Sequence, residues 1–207
     1  GAAPINWAVI NGETETGVTT FFLDHDIDTG RIIRRRTFPI PDDADAEYVY
    51  DGLMRLGADL CIDTIEAIAA ADGHPRTTAQ DNAPCSTAGM LCLRPAPKIF
   101  KETCEIDWSK TAKQVYDFVR GLSPAPGAWT TLTDAEGRNT VLKIYKTRKT
   151  GQPGQGSGSL AADGKALYIS ASDECLEIVE LQLAGKRRMA ARDFLNGMKN
   201  ISALKIS

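Results

Sequence analysis

Apolar and polar positions along the first seventy or so residues change period in a way that outlines an α/β unit. Val18 to Leu23 is β-branched and aromatic and predicts a strand. The polar stretch Asp24 to Gly30 predicts a loop closed by glycine. Arg31 to Phe38, apolar and basic residues mixed, predicts a second strand ended by Pro39 and Pro41. Val49, Leu53, Leu56, Leu60, Ile65 and Ile68 then recur at helical steps. Asp45 is the N-cap, Asp42, Asp43, Asp45 and Glu47 sit at the positive end of the helix dipole, and Asp72-Gly73 with Pro75 stop the helix. Strands flanking a long amphipathic helix indicate the second half of an α/β unit.

Residues 75–105 carry Pro75, Pro84, Pro95 and Pro97 with little periodicity, as an extended linker does. From Asp107-Trp108-Ser109 the pattern changes. Ser109 caps a short helix whose inner face is Ala112, Val115, Val119 and Leu122, with Gly121 near its end. Short strands follow at Ala128–Leu132, Val141–Thr147, Ala166–Ser170 and Leu176–Leu183, parted by glycine-rich turns. A last helix spans Ala190–Asn196, before Gly197. Several short strands with one helix predict a small OB-like β-barrel domain. The expected division is residues 1–80, a linker over 81–105, and residues 106–207.

Composition narrows the classes. An apolar share of 43% suits a soluble chain with a core, and no apolar run approaches the roughly eighteen residues of a membrane span. The opening residues, Gly1 to Trp7, lack both the basic start and the apolar stretch of a signal peptide, and they lack an initiator Met. Cys61, Cys85, Cys92, Cys104 and Cys175 are odd in number, and no pair has a two-residue gap. They read as reduced structural thiols in a cytoplasmic protein. With only His25 and His74, a multi-histidine metal site is excluded. Charge divides unevenly within the net −3: residues 1–97 hold 7 Lys+Arg against 15 Asp+Glu, and residues 98–207 hold 17 against 12. The basic second part suits a polyanionic partner, and equally a merely soluble surface.

Two places could carry chemistry. Asp28 lies beside Asp24, His25 and Asp26, and carboxylates that close can raise one another's pKa, which suits a proton acceptor. On spacing alone, an ordinary Asp-Thr-Gly turn or a hard-cation site explains the loop more simply. The second place is a pair of cationic clusters, Lys143, Lys146, Arg148 and Lys149 on one strand-turn and Lys186, Arg187 and Arg188 on another. They suit phosphate contacts or a plain charged surface. Trp7, Trp108 and Trp129 read as packing residues.

Taken in order, several segments carry a resemblance. Gly1-Ala2-Ala3-Pro4-Ile5, Gly12-Glu13, Thr16-Gly17-Val18-Thr19 and Asp28-Thr29-Gly30 come first. Ala96-Pro97-Lys98-Ile99, Ile106-Asp107-Trp108, Arg120-Gly121-Leu122-Ser123-Pro124 and Pro126-Gly127-Ala128-Trp129 follow. Gly185-Lys186-Arg187-Arg188-Met189 and Asp193-Phe194-Leu195-Asn196-Gly197 close the series. Nearly the whole chain thus resembles the folate-dependent formyltransferases, its closing segments most like those of members acting on methionyl-tRNA.

The resemblance implies the C-terminal portion of a Rossmann-like formyltransferase domain followed by the OB-like β-barrel. It implies formyl transfer from 10-formyltetrahydrofolate, a co-substrate, to the amine of methionyl-initiator tRNA for translation initiation, without a metal. Asp28 would be the catalytic Asp, and Asp26, Ile27 and Asp28 would line the folate pocket. Lys143, Lys146, Arg148, Lys149, Lys186, Arg187 and Arg188 would grip tRNA. The family's Asn-x-His-x-Ser-Leu-Leu-Pro segment, with its catalytic Asn and His, is absent before Gly1. The expectation is a truncated enzyme, inactive as it stands, that is monomeric, cytoplasmic and not bound to a membrane. Within the same architecture the alternatives are a sugar-nucleotide N-formyltransferase and a formyltetrahydrofolate hydrolase domain. From another class, the alternative is a non-catalytic nucleic-acid-binding module.

Overall fold

Pro4, whose fixed φ and missing N–H suit the first turn of a helix, opens α1 (Pro4–Ile10) in the computed structural model, which describes residues 2–80, 94–198 and 201–206. This helix was not expected: seven residues are too few for a helical period to stand out. The two expected strands are β1 (Glu15–Phe21) and β2 (Ile32–Pro39), which form an antiparallel hairpin in register from Glu15↔Pro39 to Thr20↔Arg34. α2 (Ala46–Ala70) lies against the hairpin, its N-cap Asp45 accepting from the Tyr48 N–H at 2.9 Å. Val49 and Leu53 join Val9, Ile40 and Ala44 in a small core, with Val18 and Phe38 packed on it. Gly52 lets the Phe38 ring cross the helix, since a Cβ there would fall 2.1 Å from the ring. One turn departs from the expected stripe. Ile65 is 61% exposed, and buried Thr64 takes the inward position, its hydroxyl 2.9 Å from that of Thr20 on β1.

The second unit opens with α3 (Ala112–Gly121). Its cap is Thr111, not Ser109: Thr111 and Gln114 form a capping box, whereas the Ser109 N–H and hydroxyl both donate to Asp107 in the preceding turn. The inner face Ala112, Val115, Val119 and Leu122 is buried as expected. Then follow β3 (Ala128–Thr133), β4 (Asn139–Pro153), β5 (Leu160–Asp163), β6 (Ala166–Ser170), β7 (Glu174–Leu183), β8 (Met189–Ala190), α4 (Ala191–Asn196) and β9 (Lys205–Ile206). The sheet is antiparallel throughout, in the order β5-β6-β7-β4-β3-β9, with β8 added beside β7. It curls over one core with α3 and α4, to which Leu142, Ile144, Leu167, Ile169, Leu176, Ile178 and Leu181 contribute. The expected strands are present, while β5, β8 and β9 are too short or too polar to show as runs.

Trp108 and Trp129 pack against the core as expected, whereas Trp7 edges a cavity beside Asn11 and Arg94. Trp108 is buried and donates to Thr130 Oγ1 at 3.2 Å, while Trp129 and Trp7 donate to the carbonyls of Lys101 and Pro97. Cys61, Cys104 and Cys175 are free thiols, and burial pushes the Cys104 thiol up. The expected readings of Cys85, Cys92 and Pro84 lie outside the described residues. No helix among the described residues is long and apolar enough to cross a membrane.

One buried cluster joins the two units. Asp117 accepts from Arg120 Nε at 2.8 Å and from Lys113 Nζ at 2.6 Å, and both Asp117 and Arg120 are largely out of water. Arg120 Nη1 reaches across to the carbonyls of Ala44, at 2.8 Å, and Pro41, at 3.3 Å, just ahead of α2. Asn6 on α1 donates to the Gly121 carbonyl at 2.8 Å. Both glycines at this contact are obligatory: a Cβ on Gly121 would meet Ile10 at 2.5 Å, and one on Gly12, at φ +68°, would meet Asp117 at 2.7 Å. Arg120→Ala removes one partner of a buried pair, so in urea titration we expect the less stable unit to unfold first, that transition losing about 3 kcal/mol. Arg138→Ala, on an exposed turn, should leave the urea midpoint unchanged.

Candidate functional site

The loop between β1 and β2 is fixed at its base and open at its tip. Phe22 N–H donates to the Arg31 carbonyl at 3.0 Å, and Gln80 Nε2 donates to the Gly30 carbonyl at 2.6 Å. Arg31 holds both the hydroxyl and the carbonyl of Thr77, at 2.7 and 3.0 Å, and Ile32 bridges to Thr78. Gly30 is buried, and a Cβ there would sit 1.5 Å from the Phe22 carbonyl oxygen, so no other residue closes the loop this tightly. Farther out, Thr29 Oγ1 donates to the Asp26 carbonyl at 3.0 Å, and the His25 N–H donates to Asp24 at 2.7 Å.

Asp28 occupies the left-handed region, φ 61°, a conformation that Asp tolerates better than most residues and that recurs at functional turns. Its carboxylate is exposed, as are Asp26, Leu23 at 93% and Ile27 at 90%. The loop therefore presents carboxylates among bare apolar side chains. That combination can take the face of a flat ring and accept a proton or hydrogen bond beside it. Among the described residues no three His, Cys, Asp or Glu side chains converge as a metal site requires. Gly30→Ala should push the loop off its base. Faster hydrogen exchange confined to residues 22–31, with α2 unchanged, is the expected reading.

The cationic residues sort by the geometry of β4. Leu142 and Ile144 point inward, but the register slips on both sides of Lys146, so Thr147 becomes the next buried residue. A bulge re-aims the side chains beyond it. Lys146, Arg148 and Lys149 turn outward together, and with Arg188 they line one cavity of about 510 Å³, which also takes in Tyr116, Val119 and Arg120 of α3 and Tyr145. The two predicted clusters thus meet through these four residues. Arg188 lies 4.3 Å from the Tyr145 ring centroid and pairs with Glu180 at 2.6 Å. Lys149 lies 4.8 Å from the Tyr116 ring and pairs with Asp42 of the first unit, whose carboxyl that lysine holds below its ordinary range. Arg148 pairs with Glu177 across the strands. Lys143 is turned away, donating to the Pro126 carbonyl at 2.8 Å, and Lys186 and Arg187 stand exposed on the β7–β8 turn. Tyr116, Tyr145 and Thr147 are cleft residues that no motif flags, while Arg120 stands in the Arg120-Gly121-Leu122-Ser123-Pro124 motif without a role assigned to it. The broken alternation around Lys146 is the trace they leave in the sequence.

Against known proteins, residues 1–65 match the family model described as formyl transferase, and residues 98–199 match its C-terminal domain. The chain is 51% identical over 206 residues to the methionyl-tRNA formyltransferase of Parabacteroides distasonis, covering 98% of this chain and 61% of that protein. It is 49% identical over 208 residues to the enzyme of the same name from Phocaeicola vulgatus, covering 100% and 63%. It therefore spans about three-fifths of the length of these relatives. Among solved structures, HypX from Aquifex aeolicus in complex with tetrahydrofolic acid aligns over 93% of this chain and 32% of its own, with a TM-score of 0.63 and 19% identity. A sugar 3N-formyltransferase aligns over 90% and 61%, with a TM-score of 0.58 and 20% identity. At that identity the two structures attest the fold, and with the family models and the close relatives they lead to one conclusion. The chain belongs to the formyl transferase family.

Proposed function

We propose that the chain is part of a methionyl-tRNA formyltransferase, an enzyme that moves the formyl group of 10-formyltetrahydrofolate onto the amine of methionyl-initiator tRNA. The observation that carries this reading is the pairing, on one chain, of an anchored Asp-Thr-Gly loop with a cationic cleft. The relatives at 49–51% identity bear that enzyme's name, which favours it over a sugar-nucleotide enzyme. Residues 1–80 then form part of the catalytic domain, 81–105 the linker and 106–207 the tRNA-binding domain. Gly158, before β5, lies against Ile206 of β9, which supports reading the sheet as an OB-like barrel.

In the reaction the amine nitrogen attacks the formyl carbon, an oxyanion forms, and the bond to the folate nitrogen breaks as the amine loses its proton. Asp28 accepts or relays that proton and orients a histidine from the part of the enzyme that the relatives have beyond this chain. An asparagine there, with the histidine, supplies the oxyanion donors. Ile27 and the backbone of Asp26 and Asp28 line the folate pocket. Lys146, Arg148, Lys149, Lys186, Arg187 and Arg188 contact tRNA phosphates, giving affinity with little sequence information, and Lys143 joins them on leaving the Pro126 carbonyl. The enzyme acts as a soluble cytoplasmic monomer without a metal.

In the complete enzyme, Asp28→Asn should cut kcat by about 10²- to 10⁴-fold, the range expected for losing a positioned proton acceptor, with tRNA affinity unchanged. A near-normal rate removes Asp28 from the mechanism. Faster turnover with an amino-sugar nucleotide than with methionyl-tRNA overturns the substrate.

A further inference from the structure

The cleft between α3 and β4 holds a polar group that the fold itself does not use. Thr147 is only 6% exposed, and its Oγ1 is the one buried side-chain oxygen or nitrogen among the described residues with no hydrogen-bond partner. A buried hydroxyl left unpaired is costly, and an apolar side chain of the same shape would serve the core better. The inward turn of Thr147 is produced by the same bulge that sends Lys146 and Arg148 outward on either side of it.

Lys146 stands across from Glu180, but that carboxylate is engaged by Arg188, and Lys146 has no ion pair among the described residues. Two other cations of the cleft are held provisionally. Lys149 is paired with Asp42 and Arg188 with Glu180, and in both pairs the partners are more than a third exposed. Such pairs are weak and exchange readily when a stronger anion arrives. Phosphate offers acceptors for cations and a hydroxyl donor alike.

We propose that this cleft is a phosphate subsite, in which the Thr147 hydroxyl donates to a phosphate oxygen while Lys146, Lys149 and Arg188 close on its charge. Lys149 and Arg188 leave Asp42 and Glu180 as the anion enters, which opens the path to the otherwise sealed hydroxyl. The proposal rests on the tRNA-binding reading for the source of the phosphate, which is a backbone phosphodiester. The carboxylates serve as stand-ins that keep the cations in place, stacked on Tyr116 and Tyr145, until the phosphate displaces them.

The test measures tRNA affinity across a series of KCl concentrations for the whole chain and its variants, and in parallel follows backbone amide shifts on adding inorganic pyrophosphate. Thr147→Val should weaken tRNA binding about tenfold at every salt concentration, as losing a hydrogen bond to a charged group does, without changing the salt slope. Lys146→Ala should lower the slope by about one. Thr147→Ser, which keeps the hydroxyl, should bind like the parent chain, and this guards against reading a packing defect as lost contact. Pyrophosphate should shift the amides of residues 145–149 in the parent chain, and less in Thr147→Val. Wild-type affinity in Thr147→Val, with binding still lost in Lys186→Ala/Arg187→Ala, overturns the subsite and leaves the tRNA reading intact. Should tRNA not bind at all, the pyrophosphate arm still decides. No shift at 145–149, or shifts identical in Thr147→Val, overturns the subsite, whereas a shift lost in Thr147→Val supports a site for free phosphate and overturns tRNA as its source.

Discussion

The buried carboxylate of Asp117 is the constraint on which the rest of the structure depends. A carboxylate taken out of water is tolerable only with partners, and Asp117 has Arg120 on one oxygen and Lys113 on the other. Arg120 is thereby oriented to spend its remaining N–H groups on the carbonyls of Pro41 and Ala44, which lie in the turn that starts α2. Gly12 and Gly121 leave room for α1 to close on the same cluster. The Arg120 and glycine contacts cross between the first unit and the unit of the antiparallel sheet. The hairpin that carries Asp28 packs on α2, so the loop inherits its position relative to the cationic cleft from this cluster.

That arrangement separates two kinds of work. The loop is built from covalent and steric constraints: a glycine with no room for a Cβ, an aspartate at positive φ, and a base tied down by Arg31 and Gln80. The cleft is built from charges that are only half neutralised. Lys149 and Arg188 rest on tyrosine rings and partly exposed carboxylates, and little is lost when such ion pairs are exchanged. A site for group transfer needs the first kind of rigidity, and a surface for a long polyanion is served by the second.

Much of this was legible in the sequence wherever a single period governed a long run. The period of α2, its Asp45 cap, the α3 face and four of the sheet strands show because the buried side of each repeats several times. The Asp24–Gly30 loop shows because its turn residues stand between two strands. Short or interrupted elements do not: α1, β8 and β9 offer too few residues to declare a period, and the end of α2 buries Thr64, which polarity alone places outside. The α3 cap was misplaced by two residues, since Ser109 and Thr111 are both good caps and only Thr111 has a glutamine at the third position. In the cleft the cations were visible as a cluster, but their meeting with Arg188 depends on a bulge and on strand pairing across some forty residues. Local sequence carries no record of such pairing. Asp28 was marked by its place in an ordered series of motifs, whereas its left-handed backbone and its exposed apolar neighbours came only from the folded chain.

The Asp117–Arg120 cluster makes one cooperative body of the two units, which differential scanning calorimetry of the 207-residue chain can test. A single transition whose calorimetric and van't Hoff enthalpies agree is the expected result, with Arg120→Ala splitting it in two. Two separate transitions in the parent chain, or one unsplit transition in the variant, would contradict it.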